Sequence, residues 1–554
     1  MTNRYSVTTL ENFAPGPLPV INAVCKECGL VEVVDEIVEW DQQQAVISPG
    51  SLTAGLIMNF LTEGQPMYRL SDFFENKDPE NLFGDEISAE DLYDRRFGWA
   101  LDTIADADPR RVLTSVIAKA ITTEGVDIGV VHADTTSKSV YGEYEQDDES
   151  DGLTIAKGYS RDGNRHLKQF NIGLGVTHRG VPVVGEIFDG NGADTTWNKE
   201  LISEIRQCLP TDESIVYVAD SKAVTGENLA RARQQNLPII SRLPGTYAAV
   251  DELIDRAWDD EDWRDIGPVA RREDAVSHEI QSYTATISDQ EMRCVVVKPS
   301  TIDGRSEKRI DKEVDNAEEQ LEDAVEDLSD RVFACERDAK QELETWLDDH
   351  QQEWFEIEAD VIETEQKKSR DKPGRPPKDW DRYETVYKIA ADVQRDAAAI
   401  TTYKQRESCY VLVTSLDDEQ EWPPERVLEE YKQQITVERG FPVVKDPKRV
   451  GAVYLKNHRR IEALGYVLIM ALLVYSLIER RARLALVDAD KPMELSGGPT
   501  TYRPTGRRVL QRFENMLITR VDGERLLPEN VDVPFRVLEL LDLGVEIYGV
   551  DEAQ

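Results

Sequence analysis

Cysteine is scarce, six residues in 554, which excludes a disulfide framework. Cys25 and Cys28 form a lone Cys-x-x-Cys. No second pair stands nearby, and the nearest histidine is His132, so a zinc ligand set is lacking and the two read as ordinary helix cysteines. Long hydrophobic runs are also lacking. The uncharged stretch 463–478 is shorter than the roughly 20 residues a membrane span needs, and Gly465, Tyr466, Tyr475 and Ser476 interrupt it. It reads as a buried core helix, and no membrane partner is expected. The first twenty residues show no charged segment followed by an apolar run, so a cytoplasmic location is expected.

Positive charge is what the chain most lacks. Acidic residues number 107 and basic residues 65, for a net charge of −42, and only 23 of the basic residues are lysine. Taken globally, this argues against a phosphate binder. The acids are spread along the whole chain rather than gathered in a tail. Two readings stand. One is a protein kept soluble in molar salt, where the Debye length falls to about 3 Å and self-repulsion is screened. The other is an ordinary acidic enzyme. In either case local charge, not global charge, must identify the partner.

The length suggests roughly three or four structural units at about 150 residues each, and an apolar fraction of 40% can fill a sizeable core. Residues 1–125 read as a helical domain, with Leu52, Leu56, Ile57, Phe60 and Leu61 at helical spacing. From 126 the pattern becomes α/β. Val126, Ile128, Val130 and Val131 lead into a strand ending at Asp134, and a polar hairpin follows over 141–158. Strands then follow over 170–177 and 181–188, a helix over 198–207, and a strand over 215–218 that ends at Asp220. A helix over 226–235 and a strand over 238–241 complete this half. Residues 245–405 read as an insertion. It holds alternating strands over 270–299, one long acidic helix over 308–350 with Leu321, Val325, Leu328, Val332, Cys335, Ala339 and Leu343 as its stripe, and strand-like 383–393. The core resumes over 406–484, with a strand at 409–414 and helices over 425–440 and 453–484. A helical tail spans 485–554.

Asp134 and Asp220 each follow a short apolar strand, where α/β sheets build sites. Each alone is also explained as a turn or cap residue. A third carboxylate adds weight. Tyr431, Gln434 and Glu438 fall at i, i+3 and i+7 of the 425–440 helix and so share one face, with Lys445 just beyond. A phenol, an amide, an acid and an ammonium together suit a metal with phosphates beside it. His132, two residues before Asp134, reads as strand packing rather than a ligand.

Tyr431, Glu438 and Lys445 match the spacing Tyr-x2-Arg-x3-Glu-x6-Lys, with Gln434 where Arg is the rule. Three upstream segments accompany them: His132-Ala133-Asp134-Thr135-Thr136-Ser137, Gly158-Tyr159-Ser160-Arg161 with Leu167-Lys168-Gln169, and Val218-Ala219-Asp220-Ser221. Together these resemble the DDE insertion-sequence transposases of bacteria and archaea that carry a Tyr-Arg-Glu-Lys signature, here of haloarchaeal character. The resemblance implies a ribonuclease H-like core, a mixed sheet with flanking helices, interrupted by an α+β insertion that accounts for the 218 positions between Asp220 and Glu438. It also implies Asp134, Asp220 and Glu438 as catalytic and metal-holding residues. Two Mg2+ ions, replaceable by Mn2+, would be the cofactor. The expected partner is double-stranded DNA, both terminal inverted repeats and target, bound by a homodimer. Gln donates a hydrogen bond but no charge. Either Lys432 or Arg439 supplies the missing cation, or activity is reduced. A domesticated DNA-binding derivative and a host metal-dependent nuclease or recombinase remain as alternatives.

Local charge supports a nucleic-acid partner. Residues 367–378 hold six basic residues and one acid, a net +5. Lys372 and Arg375 lie within them, and Gly-Arg375-Pro resembles a minor-groove hook; a solvated linker explains it equally. Residues 439–460 carry net +6 from Arg439, Lys445, Lys448, Arg449, Lys456, Arg459 and Arg460 against Asp446, a suitable phosphate-positioning set. Arg480, Arg481 and Arg483 extend it. Lys157, Arg161, Arg165 and Lys168 form a weaker third set. The helical domain reads either as the binder of the DNA ends or as a structural or dimerisation unit.

Overall fold

The computed structural model describes residues 9–140, 152–158, 166–192, 197, 199, 201–202, 205, 215–269, 275–368, 380–445, 455, 457–494, 499–528 and 532–550. The chain divides into two compact units. The first comprises Met1–Pro244, Ala285–Arg293 and Val413–Gln554, the second Gly245–Thr284 and Cys294–Leu412.

The first unit begins with strand β1 (Leu10–Phe13) and then helices, principally Leu18–Glu27, Leu30–Ile37, Pro49–Leu61, Asp94–Asp106 and Pro109–Glu124. Their starts follow from local chemistry. Ser48 accepts a hydrogen bond from Ser51 N just before Pro49, and Asp108 accepts from Arg110 N and Arg111 N just before Pro109. In each case a capping oxygen satisfies an orphan N–H and the proline occupies a position that needs none. Gly125, at φ 57°, closes the last helix in the left-handed region.

The mixed sheet of this unit is built from β2 (Val130–Val140), β3 (Lys168–Thr177), β4 (Pro182–Phe188), β5 (Val216–Ala219) and β6 (Ile239–Arg242), in the order β4–β3–β2–β5–β6. β2, β3 and β4 are antiparallel neighbours, whereas β2, β5 and β6 run parallel. This is the mixed sheet with flanking helices expected of a ribonuclease H-like core. The helix Gly226–Gln234 connects β5 to β6 and is capped by Thr225.

The uncharged stretch lies in the helix His458–Asp488, whose most apolar window is 89% buried. The burial accounts for its composition: it packs against β4 and the helices Pro49–Leu61, Asp94–Asp106 and Pro109–Glu124. Close approach is possible because two facing positions lack side chains. A Cβ on Gly465 would meet Ile187 at 2.8 Å, and one on Gly185 would meet Ile469 at 2.9 Å. Cys25 and Cys28 are also buried in this helical layer, and burial pushes both thiols up, Cys28 to about 11.

The tail differs from the helical expectation. β15 (Ile518–Val521) pairs with β1 and with β16 (Glu524–Leu526), forming a small antiparallel sheet from the two ends of the chain. Arg520 bridges Glu11 and Glu80, and Arg525 pairs with the nearly buried Asp78. The residues between β1 and β15 are too far apart in sequence for local periodicity to reveal their pairing.

The second unit contains β7 (Arg264–Pro268), most of β8 (Ser277–Ile287) and β9 (Gln290–Pro299), and an antiparallel ribbon of β10 (Phe355–Lys367) with β11 (Tyr383–Arg395). The expected single acidic helix is two, Gly304–Ser329 and Glu336–His350. Between them Phe333 exchanges backbone hydrogen bonds with Tyr387 of β11, which draws the chain out of helical geometry. Val332 and Cys335, expected on the apolar stripe, are therefore exposed. Ile310, Val314, Leu321, Leu328, Trp346 and Phe355 form the core of this unit with Ile389. The segment 368–382 joins the two ribbon strands. Lys368 N donates to Arg382 O at 3.0 Å, while 369–379, with Lys372 and Arg375, fall outside the described residues.

Candidate active site

β2 and β5 run parallel in register, and their last paired residues are Ala133 and Ala219. Asp134 and Asp220 are the residues that directly follow this last pair, so their backbones are neighbours across the two strands. Contrary to expectation, β2 does not end at Asp134: it continues to Val140 because β3 still pairs with it, with Asp134 opposite Leu174. Asp134 is thus held in extended backbone where its parallel neighbour stops. Its Oδ1 accepts from Thr135 N at 2.7 Å. Asp220 leaves the sheet as an N-cap, its Oδ1 accepting from Lys222 N at 3.1 Å. Its backbone carbonyl accepts from the buried Ser241 Oγ at 2.8 Å, which anchors the turn to β6.

The expected 425–440 helix is broken. One helix runs Pro424–Lys432, and Ile435–Lys445 forms a second after a turn at Gln433 and Gln434. Gln434 N donates to Tyr431 O, and Thr436 N donates to Gln433 O, the tighter pattern of a turn. Gln434 is therefore a half-buried hinge residue rather than a position on a continuous face. Lys445 is the last helical residue, and its carbonyl accepts from Lys138 Nζ at 2.9 Å. The second helix packs Val437, Phe441 and Val444 against β2 and β3 and leaves Glu438 and Arg439 exposed.

Two tyrosines report the electrostatics between the acids. The phenol of Tyr217, fully buried on β5, is pushed up by burial and further by Asp220 and Asp134. The phenol of Tyr431 is pushed up chiefly by burial, opposed by the Arg242 guanidinium, and raised further by Asp220 and Glu438. Tyr217 thus lies in the fields of the first and second acids, and Tyr431 in those of the second and third. Among the described residues, no three His, Cys, Asp or Glu side chains converge closely enough to hold a metal ion.

Comparison with known families gives the context. A family described as Transposase DDE domain matches residues 131–474, more than half of the chain. The chain belongs to the DDE transposase family. The match opens in β2, three residues before Asp134, and closes inside the long helix, so it includes all three acids. A second family, a domain of unknown function (DUF4277), matches residues 15–118. No curated protein matches the chain. Membership makes the protein an enzyme of the polynucleotidyl transferase and endonuclease type, acting on DNA, in a family that generally uses divalent metal ions.

The three acids expected from the sequence differ in their setting in the transposase. Asp134, Asp220 and Glu438 are hard oxygen donors: Asp134 lies within β2, Asp220 directly follows β5, and Glu438 is exposed on a helix packed against β2. Arg242, the exposed last residue of β6, escaped the sequence reasoning. Its guanidinium acts on Tyr431, and the Lys432 ammonium is held below its ordinary value by desolvation first and by Arg242 second. Its signal in the sequence was only a basic residue at the end of a strand after Asp220. Arg439 instead acts on Glu479 and Arg483 of the long helix.

Several other basic residues read as phosphate contacts are used internally. Arg460 grips Asp102 with two hydrogen bonds of 2.6 Å, and Arg459 meets Asp106. Arg480 donates to Gly125 O, Arg481 joins Glu27 and Glu124, and Arg483 joins Glu479 and Pro504 O. These arginines fasten the long helix to its neighbours, which basic clustering alone does not reveal. Lys168 is the first residue of β3, opposite Val140. Arg161, Lys448 and Arg449 fall outside the described residues. His132 is fully buried on β2, its Nε2 2.8 Å from Glu430 Oε1, a packed strand residue as expected.

Proposed function

We propose that this transposase cleaves and rejoins DNA strands at the terminal inverted repeats of an insertion sequence, with Asp134, Asp220 and Glu438 as its catalytic triad. The observation that carries the reading is the parallel pairing of β2 with β5, whose last paired residues, Ala133 and Ala219, directly precede Asp134 and Asp220. Two Mg2+ ions, with Mn2+ as substitute, would supply Lewis-acid stabilisation of the attacking and leaving oxygens of an in-line displacement at phosphorus. The three carboxylates would hold them, with Glu438 brought in on its short helix.

The other residues then bind and orient. Tyr431, Gln434, Glu438 and Lys445 serve as the Tyr-Arg-Glu-Lys signature with Gln in place of Arg. Tyr431, in the fields of Asp220 and Glu438, donates a hydrogen bond to a phosphate oxygen. Lys445 and Arg439, with Lys448, Arg449, Arg161 and Lys168, hold the backbone beyond the scissile phosphate. Lys372 and Arg375 enter the minor groove from the insertion, residues 245–405. Residues 1–125 bind the DNA ends, and residues 126–244 and 406–484 form the two parts of the catalytic core. The protein works as a homodimer on double-stranded DNA, in the cytoplasm of a haloarchaeal cell whose molar salt matches its acidity.

The test uses duplexes carrying the inverted ends that flank the gene. Wild type should nick them with Mg2+ or Mn2+ and not with a chelator. Asp134→Asn, Asp220→Asn and Glu438→Gln should each lose cleavage while retaining binding. A Glu438→Gln protein that cuts as well as wild type would sink the triad. Equal cleavage of duplexes without the ends would favour a general nuclease.

A further inference from the structure

Within residues 15–118, the part matching a domain of unknown function, the surface carries a cavity of about 390 Å³. Small-ligand sites typically occupy about 300–1,000 Å³. Trp40, Val46, Tyr93, Arg95, Arg96 and Trp99 line it, with Asp41 and Gln44 at the same wall. Trp40 follows the helix Leu30–Ile37 and is fixed by its Nε1 donating to Asp35 O at 3.0 Å. Tyr93 caps the helix Asp94–Asp106, so Arg95, Arg96 and Trp99 fall on its first turns.

Three features distinguish this cavity from a packing defect. Apolar groups that could be covered are not: Val46 is 61% exposed and Tyr93 43%, and both indoles are only half-buried. The Arg96 guanidinium lies 5.1 Å from the Tyr93 ring centroid, a cation–π arrangement, and 3.4 Å from Asp91. Arg95 is exposed, and among the described residues its guanidinium has no ion-pair partner, in a chain with 107 acids. Three aromatic rings and two guanidiniums around one cavity are the groups that would stack a base and hold its phosphates. The bases of a duplex are turned inward and would not reach them. Asp41 and Gln44 can accept from or donate to the edge of such a ring.

We infer that this cavity takes an unstacked nucleobase of DNA, held between the aromatic rings with its flanking phosphates on Arg95 and Arg96. The inference rests on the chain being a transposase, which brings DNA to it, and is independent of the triad assignment.

The test uses the full-length protein and two probes, a 12-nucleotide oligothymidylate bearing one 5-iododeoxyuridine and the corresponding fully paired 12-base-pair duplex. Irradiation should cross-link the single strand to peptides containing Trp40 or Tyr93–Trp99. Tyr93→Ala should weaken single-strand binding roughly 5- to 100-fold, the range given by losing one stacking contact, and Arg95→Ala should weaken it by losing a phosphate contact. Duplex binding should change less than about threefold by the same argument. Tyr93→Phe, which keeps the ring, should bind as wild type does. Cross-links confined to other peptides, equal weakening of both probes, or undiminished single-strand binding by Tyr93→Ala would each overturn the inference. A loss shared by Tyr93→Phe would also overturn it, since the ring would then not be the contact. Binding and cross-linking are read in chelator, where no cleavage is expected, so a failed triad and a failed pocket are told apart.

Discussion

His132 and Glu430 join the strand of the first acid to the helix that presents Tyr431. His132 Nε2 lies 2.8 Å from Glu430 Oε1, with the imidazole fully buried and the carboxylate largely so. His132→Ala would leave the Glu430 carboxylate without this partner and open a void beneath β2. The expected cost is about 2–4 kcal/mol, from the lost hydrogen bond and the cavity together. Denaturant unfolding should show a lower midpoint at unchanged slope. Because the contact also sets where Tyr431 sits relative to Asp134, cleavage should fall further than the folded fraction does. Activity that simply tracks the folded fraction would assign the pair a purely structural role.

Arg242 places a fixed cation in the field of Tyr431 where the signature arginine is replaced by Gln434. Arg242→Ala should therefore lower cleavage roughly 10- to 1,000-fold, the usual cost of removing one charge-stabilising donor. Arg242→Lys should recover part of it, since charge returns but the bidentate fork does not. Gln434→Arg in the Arg242→Ala background should restore activity more than Gln434→Arg does in wild type. Additive effects of the two substitutions, read as a double-mutant cycle, would show that the positions do not share a task.

Arg481, which charge clustering assigns to a DNA-facing basic set, is mostly covered and joined to Glu124 and Glu27. Its side chain is 14% exposed and that of Glu124 only 7%. Removing one partner of such a pair leaves a buried charge, so Arg481→Ala should cost about 3–5 kcal/mol. Arg460→Ala breaks a more exposed pair with Asp102 and should cost about 1 kcal/mol or less. Neither should alter DNA affinity once the folded fraction is corrected for. A clear loss of affinity by the folded Arg460→Ala protein would return that residue to the interface.

What the sequence revealed and hid follows from the range of each signal. The strands before Asp134 and Asp220 were legible as apolar runs followed by a carboxylate, but their parallel register and the continuation of β2 to Val140 were not, since both depend on partners distant in sequence. The long buried helix was legible from its uncharged stretch. The break at Gln434 was not: the i, i+3, i+7 spacing of Tyr431, Gln434 and Glu438 outweighed the β-branched run Ile435-Thr436-Val437, whose helix propensity is low. The split of the acidic helix at 330–335 was hidden because it depends on Tyr387 more than fifty residues away. Arg242 was missed because a single basic residue at a strand end has no pattern, and the Arg481 network because charge clustering does not say which way side chains turn.

The acidity leads to a measurement of DNA binding against salt. Each phosphate contact made by Lys or Arg releases condensed counterions, so log affinity ordinarily falls with log salt at about 0.9 per contact. In this chain many arginines are committed to carboxylates, as in Arg460–Asp102, Arg481–Glu124 and Arg525–Asp78. Fewer cations remain for phosphate, and at low salt the net charge of −42 repels DNA. Raising KCl screens that repulsion, as the Debye length shrinks from about 10 Å at 0.1 M to about 3 Å at 1 M. The two effects oppose each other, so affinity for a duplex should vary by less than about tenfold between those salts, where six contacts alone would remove several decades. Fluorescence anisotropy over that range reads it directly. A fall of several decades would mean that counterion release dominates and that the acidity serves no high-salt environment.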